Sequence, residues 1–466
     1  MPLVNDIHSR LNETRVRRIV EAGSVEDVAR AVREARAEGV AVSVAGARHA
    51  MGAQQFGTDT VLVDTSRLDR VLAFDPEAGT VEAEAGIRWP ELIEGYLDLQ
   101  RDSPRQWGIA QKQTGADRLT LGGSFGANAH GRGLTMKPMI ADVESLVLVD
   151  AEGEVRRCSR TEDSELFRLT AGGYGLFGIV TSLTLRLVPR RKLERVVEIG
   201  RMDGLMDAFD ERIRDGFLYG DFQFSIDERS DDFLDRGVFS CYRPVDPETP
   251  VPEGQKELSD DDWRRLLYLA HADKAAAFTV YAEHYLASNG QIYWSDLHQL
   301  SPYFDGYHAD LDAKLAAAHP GSEIITEIYV PRPRLADFME EAREDFRRHG
   351  VDVIYGTVRL IERDDESFLA WAREPWACVV FNLCTPHTTD GIERSAAAFR
   401  RLIDLAVRRG GSYFLTYHKH ARRDQVEACH PRFRDLLRAK LERDPEERFQ
   451  SDWYRHHRDL FKGENA

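Results

Sequence analysis

Cysteine is scarce in this 466-residue chain, and no apolar run approaches the length of a membrane span. The five cysteines, Cys158, Cys241, Cys378, Cys384 and Cys429, are scattered without a C-x-x-C pair or a metal-ligand spacing. That argues against a disulfide framework and a structural zinc, and it suits a reducing compartment. No metal site is expected, and Cys378 and Cys384 read as packed core residues. The first residues, MPLVNDIHSRLNETRVRR, lack a charged-then-apolar signal pattern, so the expected location is cytoplasmic. Positive charge is also in deficit: 62 Lys and Arg against 79 Asp and Glu leave a net charge of −17. Nucleic acid and anionic lipid are therefore poor partners. A hydrophobic content of 42% with 30% charged residues describes a globular protein, and the length calls for two or three domains.

What is present begins with a strand–helix–strand unit. Val16–Val20 reads as a strand. Ser24 followed by Asp27 is a capping-box-like start, and Val25, Val28, Ala29, Val32 and Ala35 recur at helical spacing. Gly39 ends that helix. The strand Val42–Ala45 then runs into the small-residue loop Gly46-Ala47-Arg48-His49-Ala50-Met51, whose backbone can approach a ligand closely. Strands are expected at Thr60–Asp64 and Thr80–Gly86, with a helix from Trp89 to Leu97.

Two further segments are rich in glycine. Gln113–Gly133 includes Gly122, Gly123, Ser124, Asn128, His130 and Gly131, and it reads as a turn or a backbone-lined ligand loop. After a strand (142–150) and a helix (163–170) comes Ala171-Gly-Gly-Tyr-Gly-Leu-Phe-Gly178, followed by the strand Ile179–Val188. Gly173, Gly175 and Gly178 match G-x-G-x-x-G by letter, but in the order helix, glycines, strand. A dinucleotide fingerprint needs strand, glycines, helix, so a Rossmann reading is rejected.

From about residue 195 the texture changes to more aromatics and longer helical patterns. Expected elements are strands at Ile324–Val330, a strand pair over Val351–Ile361 around Gly356, and strands at Ala377–Leu383 and Ser412–His418. Helices are expected at Arg334–Arg348, Gly391–Arg409 and Arg423–Leu441. Such strand–helix–strand rhythms favour a sheet covered by helices on one side. The proline- and acid-rich residues 242–262 read as a surface excursion.

Taken together, these segments resemble the flavoproteins of the vanillyl-alcohol oxidase and p-cresol methylhydroxylase (PCMH) type. Gly46-Ala-Arg-His49-Ala50 looks like the family's pyrophosphate loop, with Arg48 where glycine is usual and Ala50 where serine is usual. Leu121-Gly122-Gly123 with Asn128-Ala-His130-Gly131 looks like its second FAD segment, and Ala171–Thr181 like its third. Asp444-Pro-Glu-Glu-Arg-Phe449 looks like its C-terminal return strand. The elements occur in the family's order over nearly the whole chain. Val358-Arg359-Leu-Ile-Glu362 resembles aldonolactone and alditol oxidases. Asn128–Arg132 and the ending Arg448–Arg455 resemble decaprenylphosphoryl-ribose 2'-oxidase.

The resemblance implies an α+β fold: a PCMH-type two-part FAD-binding domain (1–194 with 421–466) and an α+β cap (195–420) with an antiparallel sheet covered by helices. It implies FAD as cofactor, held by Ala45–Met51, by Gly122, Gly123, Ser124, Asn128 and Gly131, and by Gly178, Ile179 and Val180. His49 stands where many members bind flavin covalently, the alternative being a non-covalent lining role. The implied activity is oxidation of a CH–OH group of a sugar, polyol or aldonolactone-like small molecule, with oxygen, a quinone or a carrier as electron acceptor. Such chemistry needs a base near the hydroxyl and a cation for the developing alkoxide. Tyr417, His418, His130 and Arg359 with Glu327 are the candidates. A flavin-dependent reductase or lipid- or sterol-type enzyme on the same scaffold is the alternative.

Overall fold

The computed structural model describes residues 1–113, 115, 117–301, 304 and 306–462; Thr114 and Ala116 of the glycine-rich block lie outside the described residues. A short antiparallel ladder pairs β1 (Leu3–Val4) with β2 (Thr14–Arg15). The strand expected from Val16 starts at Arg18, as β3 (Arg18–Glu21). Ser24 then opens α1 (Val25–Ala37) by accepting the Asp27 backbone N–H on its hydroxyl, which satisfies a donor the helix itself cannot. Val28, Ala29, Val32 and Ala35 are buried at helical spacing, as the sequence pattern requires. β4 (Val42–Ala45) and β5 (Val61–Asp64) complete a parallel sheet in the order β3-β5-β4.

The chain continues through β6 (Val71–Asp75), β7 (Thr80–Glu84), α2 (Trp89–Leu99), β8 (Trp107–Ile109), α3 (Leu121–Gly126), β9 (Val143–Val149), β10 (Val155–Ser159), α4 (Ser164–Thr170) and β11 (Ile179–Pro189). Their antiparallel sheet has the order β10-β9-β11-β7-β6, with β8 pairing to β11. The glycine block is thus not all loop. Thr120 caps α3 by accepting the Gly123 N–H at 3.3 Å, and Gly122 is glycine because a Cβ there would lie 2.8 Å from the Ala85 Cβ.

The third sheet is built from β12 (Lys192–Arg201), α5 (Leu205–Arg214), β13 (Tyr219–Phe224), β14 (Arg236–Pro244), α6 (Asp260–Ala272), α7 (Lys274–Ala287), β15 (Ile292–Trp294), α8 (Tyr307–Lys314), β16 (Gly321–Pro331), α9 (Leu335–His349), β17 (Val353–Ile361), β18 (Trp376–Pro386), α10 (Thr389–Val407) and β19 (Ser412–Tyr413). Its eight strands are antiparallel in the order β15-β12-β14-β13-β17-β18-β16-β19.

Strand alternation assigns the two faces of this sheet. Ile328, Val358, Val379 and Phe381 join the main core with Phe338 and Phe346 of α9 and Phe399 of α10. On the opposite face, Val197 and Val238 pack with Leu266 of α6 and Tyr281 of α7. The sheet therefore carries helices on both faces rather than one. The excursion read at 242–262 ends in a capping box, in which Ser259 and Asp262 start α6. Three other expectations are corrected. The strand pair expected over Val351–Ile361 is the single strand β17, and Gly356 lets the Phe224 ring cross it, since a Cβ would sit 2.1 Å from that ring. The strand at Ser412–His418 stops at Tyr413, leaving Tyr417 and His418 in a turn. The helix over Arg423–Leu441 is two, α11 (Arg423–Cys429) and α12 (Phe433–Arg443), broken at Pro431, which cannot continue the hydrogen-bond ladder.

After α12 the chain returns to the parallel sheet. The Val42 N–H donates to Arg448 C=O at 2.6 Å, and Gln450 N–H to Val42 C=O at 2.9 Å. Phe449 makes a parallel bridge to Val42 rather than an extended strand, before α13 (Asp452–Leu460). No helix among the described residues is long and apolar enough to cross a membrane.

Buried imidazoles accumulate where this tail packs. His430 stands edge-on to Tyr413 at 5.1 Å, and His457 bonds the Trp453 carbonyl through Nδ1 at 2.9 Å. Burial pushes both down to about 3. Each folded value lies below the ordinary ~6.5, so the unfolded chain takes up these protons first and stability is lost as pH falls from about 6.5 toward 3. Each histidine is expected to cost about 2 kcal/mol at pH 5 relative to pH 7.5. Urea unfolding across that range should show a shallower pH slope in His430→Phe, smaller by one proton, whatever the variant's absolute stability. An unchanged slope would mean that His430 is already protonated in the folded state.

Candidate active site

A cavity of about 520 Å³ lies between the two halves of the molecule. On one side its wall is the loop after β4, Gly46 to Met51, joined by Gly122, Gly123 and Ser124 of α3 and by Gly175, Gly178 and Val180 at the start of β11. On the other side it is the face of the eight-stranded sheet carrying Glu327, Arg359, Val380 and Asn382, with Tyr417 from the turn after β19.

The loop after β4 is held from behind. The carbonyls of Arg48, Ala50 and Met51 accept from the Ile7 N–H at 3.1 Å, Gln55 Nε2 at 2.7 Å and Asn12 Nδ2 at 2.7 Å. With its carbonyl oxygens engaged by these donors, the loop suits an anionic group. Arg48 has φ +60°, the left-handed region in which glycine is at ease. Its ion pair with Asp64, 2.7 Å, offsets part of that strain. Gly46 cannot carry a side chain, because a Cβ would lie 2.3 Å from Thr120 Oγ1. His49 is buried in the cavity wall beside the ring of His8, 5.1 Å away. Burial, followed by the nearby His8 and Arg88, holds it down at about 3, so it is a neutral imidazole.

Across the cavity, Glu327 is 1% exposed, although an acidic residue on a sheet face is usually solvated. Its Oε2 receives His130 Nε2 at 2.8 Å and the Tyr329 hydroxyl at 2.9 Å, and its Oε1 receives the Tyr417 hydroxyl at 2.9 Å. Burial alone would raise the Glu327 pKa; His130, Arg359 and the Tyr417 hydroxyl outweigh it and hold the carboxyl below its usual range. The His130 tautomer follows from its other bond. Nδ1 lies 2.9 Å from the Gly131 carbonyl, which can only accept, so Nδ1 carries hydrogen. Nε2 then faces Glu327 Oε2 at 2.8 Å, with one proton shared between them.

Arg359 stays cationic despite burial, with Tyr355, Asp221 and Glu327 favouring its charge, and its Nε has no hydrogen-bond partner. Burial and then Glu327 push the Tyr417 hydroxyl well above its ordinary range, so it acts as a donor and not as a base. Gln113 Nε2 donates to the same Tyr417 oxygen at 2.7 Å. Burial, again with Glu327, raises the Cys378 thiol, whose sulfur is 3.8 Å from Glu327 Oε2. His130, Glu327 and Cys378 form the only trio of potential metal ligands among the described residues. Their mutual hydrogen bonds account for the arrangement.

Several residues expected at the site stand elsewhere. His418 bonds Thr326 at 3.1 Å and stacks on Phe399 of α10 at 4.4 Å. Thr326 and Glu327 are neighbours on β16 and point to opposite faces, so the sheet separates His418 from the cavity. His130 stands behind Glu327 rather than in the cavity lining. Asn128, at φ +49°, is turned away, donating to Asp364 at 2.9 Å and accepting the Ile140 N–H at 3.0 Å. Gly131 packs on the Lys112 carbonyl, 2.6 Å from where a Cβ would sit. Ala45 and Ile179 are core residues of neighbouring clusters. The sequence reading gave no role to Gln113, Tyr329, Asn382 or the cavity-facing stripe of α6. Only the last carries a periodic signal, Trp263, Leu266, Leu267 and Ala270 at i, i+3, i+4 and i+7.

The residues present fit FAD. A glycine-lined loop suited to a diphosphate, a neutral buried histidine and a ring-sized space under Glu327, Arg359 and Tyr417 share one cavity. Comparison with known proteins agrees. A family model described as "FAD binding domain" matches residues 16–159. An uncharacterized oxidoreductase, ORF5 in the fasciation locus of Rhodococcoides fascians, is 32% identical over 169 residues, 36% of this chain and 37% of that protein. Cytokinin dehydrogenase 3 of Oryza sativa subsp. japonica is 35% identical over 154 residues, 32% of this chain and 28% of that protein. L-gulonolactone oxidase of Bos taurus is 28% identical over 192 residues, 41% of this chain and 42% of that protein. The chain thus spans well under half the length of each of these relatives. Residues 16–159 are an FAD-binding domain. Over part of its length the chain is thus similar to FAD-linked oxidoreductases.

Removing the Tyr417 hydroxyl deprives the buried Glu327 carboxylate of one of its donors. Tyr417→Phe is expected to lower unfolding stability by about 2 kcal/mol, the scale of a hydrogen bond to a charged group. In a double-mutant cycle with Glu327→Gln, urea unfolding should show losses smaller than additive. Strict additivity would mean that the two side chains do not interact.

Proposed function

We propose that the protein oxidises a CH–OH group of a small sugar, polyol or lactone-like molecule bound between Glu327 and Arg359. The observation that carries this reading is the buried Glu327 carboxylate, which faces the cavity beside an incompletely bonded guanidinium. In this reading residues 1–194 with 421–466 hold the cofactor and 195–420 form the cap. One of the relatives is by name an oxidase of a lactone, which agrees with the substrate class.

FAD bound in the cavity supplies a hydride acceptor. The chain's own residues manage the proton and the charge. The free lone pairs of Glu327 Oε1 take the hydroxyl proton of the substrate, and Tyr417 and Tyr329 keep that carboxylate oriented. Arg359 receives the developing alkoxide on its uncommitted Nε–H. Arg359, cationic although buried, stands beside the place where that negative charge develops and favours an anionic transition state. His49, neutral and in the cavity wall, has the protonation state needed to form a covalent bond to the flavin, and the covalent form is the one we propose. The electron acceptor is oxygen, a quinone or a carrier.

The test is to purify the protein, denature it with acid and follow the yellow colour. Flavin should remain with the precipitate in the wild type and pass to the supernatant in His49→Ala. Anaerobic mixing of the holoenzyme with polyols and aldonolactones should bleach the flavin. Glu327→Gln should slow that bleaching by about 10²- to 10⁴-fold, as expected for loss of a general base, while FAD is retained. Bleaching at the wild-type rate in Glu327→Gln would remove Glu327 from the mechanism, and a protein unable to bind FAD would end the whole reading.

A further inference from the structure

The wall of the cavity beyond Glu327 is unlike the rest. Trp263, Leu266, Leu267 and Ala270 of α6 and Phe278 and Tyr281 of α7 all line it, and none carries a charge. On α6 these positions form one complete helical stripe. Trp263, Leu267 and Phe278 remain only half-buried, so the apolar face of the helix pair is incompletely covered by protein. The pair is firmly built: Ser259 and Asp262 form a capping box on α6, and Asp273 caps α7 by accepting the Ala276 N–H at 3.0 Å. Its outer face is charged, with Asp260, Asp261, Arg264 and Arg265 exposed. The apolar stripe is thus presented to the cavity by a rigid element.

Register places this wall relative to the chemistry. On β16, Glu327 is followed on the same face by Ile325 and then Glu323, at about 7 and 13 Å along the strand. The end of α6 is fixed at the far position, where His271 bonds Glu323 at 3.0 Å. Ile325 and Asn382, paired across β16 and β18, floor the space between. Asn382 Oδ1 has no hydrogen-bond partner there.

We infer that the α6–α7 wall is a subsite for an uncharged apolar group of the substrate, a ring or a short alkyl chain attached to the carbinol that is oxidised. This rests on the proposed reaction at Glu327 and Arg359 and narrows its substrate from bare polyols to carbinols with an apolar arm. The arm lies within about 13 Å of the reacting carbon. A hydroxyl or amide N–H at its near end can donate to Asn382. The continuity of the wall with the reaction cavity favours part of the substrate, not a separate partner, as its occupant.

The test uses the FAD-loaded protein and the series of alkane-1,2-diols from propane- to octane-1,2-diol, with glycerol and xylitol as tail-less references. Affinity is read twice, from the saturation of anaerobic flavin bleaching and from tryptophan fluorescence, which does not depend on turnover. Affinity is expected to rise about fourfold per methylene over the first several carbons, the value for burying one CH₂. Ala270→Phe, which fills the wall, should abolish that increment in both readings. Leu286→Ala, on the exposed side of α7, should leave it intact. Equal affinity along the series, or an increment that survives Ala270→Phe, overturns the subsite. Should no diol or polyol bleach the flavin, the proposed reaction fails, and the fluorescence series still decides the subsite.

Discussion

The contact between Glu327 and His130 is the one on which the rest of the site depends. It joins a side chain of the eight-stranded sheet to one from the glycine-rich block that belongs to the other half of the molecule. A buried carboxylate alone would take up a proton and turn neutral. With His130, Tyr329 and Tyr417 as donors it stays ionised, and the cavity keeps a fixed negative oxygen beside the guanidinium of Arg359. Breaking one partner of such a pair leaves a buried charge unmatched, which costs several kcal/mol. The same bond therefore joins the two walls of the cavity and helps to keep the carboxylate that faces it ionised.

Around this contact the packing is aromatic. Trp371 stacks on Tyr329 at 4.8 Å, lies 4.9 Å from Phe414 and 5.5 Å from His130, and donates its indole N–H to the Asn128 carbonyl at 3.1 Å. Asn128 in turn grips Asp364, which caps Glu366 and Ser367 through their backbone N–H groups. Asn128 thus acts on the site by anchoring the loop that carries Trp371, and Trp371 confines the His130 and Tyr329 rings. A polar network held by rings with few rotamers is organised before substrate arrives, which is the condition for electrostatic stabilisation to lower a barrier.

Much of the scaffold was legible in the sequence because it follows local rules. Ser24 and Asp27 mark a helix start, period two marks the strands, and the order helix–glycines–strand at Gly173–Gly178 rules out a dinucleotide fingerprint. The loop after β4 was legible for the same reason: small residues directly after a buried strand. What escaped was set by distant partners. Tyr417 and His418 are adjacent in the chain, but strand geometry could not assign them, since β19 ends at Tyr413 and they lie in a turn. Only the β16 register shows that Thr326 takes His418 to one face and Glu327 takes Tyr417 to the other. The burial of Glu327 was likewise invisible, because nothing near it in sequence announces His130, 197 positions away. The amphipathic stripe of α6 was readable, but amphipathicity alone cannot tell a helix that faces a core from one that faces a cavity.

The net charge of −17 says little about this cavity. Surface carboxylates act through water and salt, and their influence falls off over about 8 Å at physiological ionic strength. Inside, the low dielectric makes nearby groups dominant. There Arg359 keeps its charge despite burial, with Tyr355, Asp221 and Glu327 near it. An acidic protein can therefore hold a buried cation in its cavity wall. In the proposed reaction negative charge builds on the carbinol oxygen as its proton passes to Glu327 and is spent as the hydride leaves and the carbonyl forms, and Arg359 Nε, which has no partner in the structure, would meet it. The apolar residues of α6 and α7 line the same cavity, so the proposed reaction and the proposed apolar subsite would share one water-poor space.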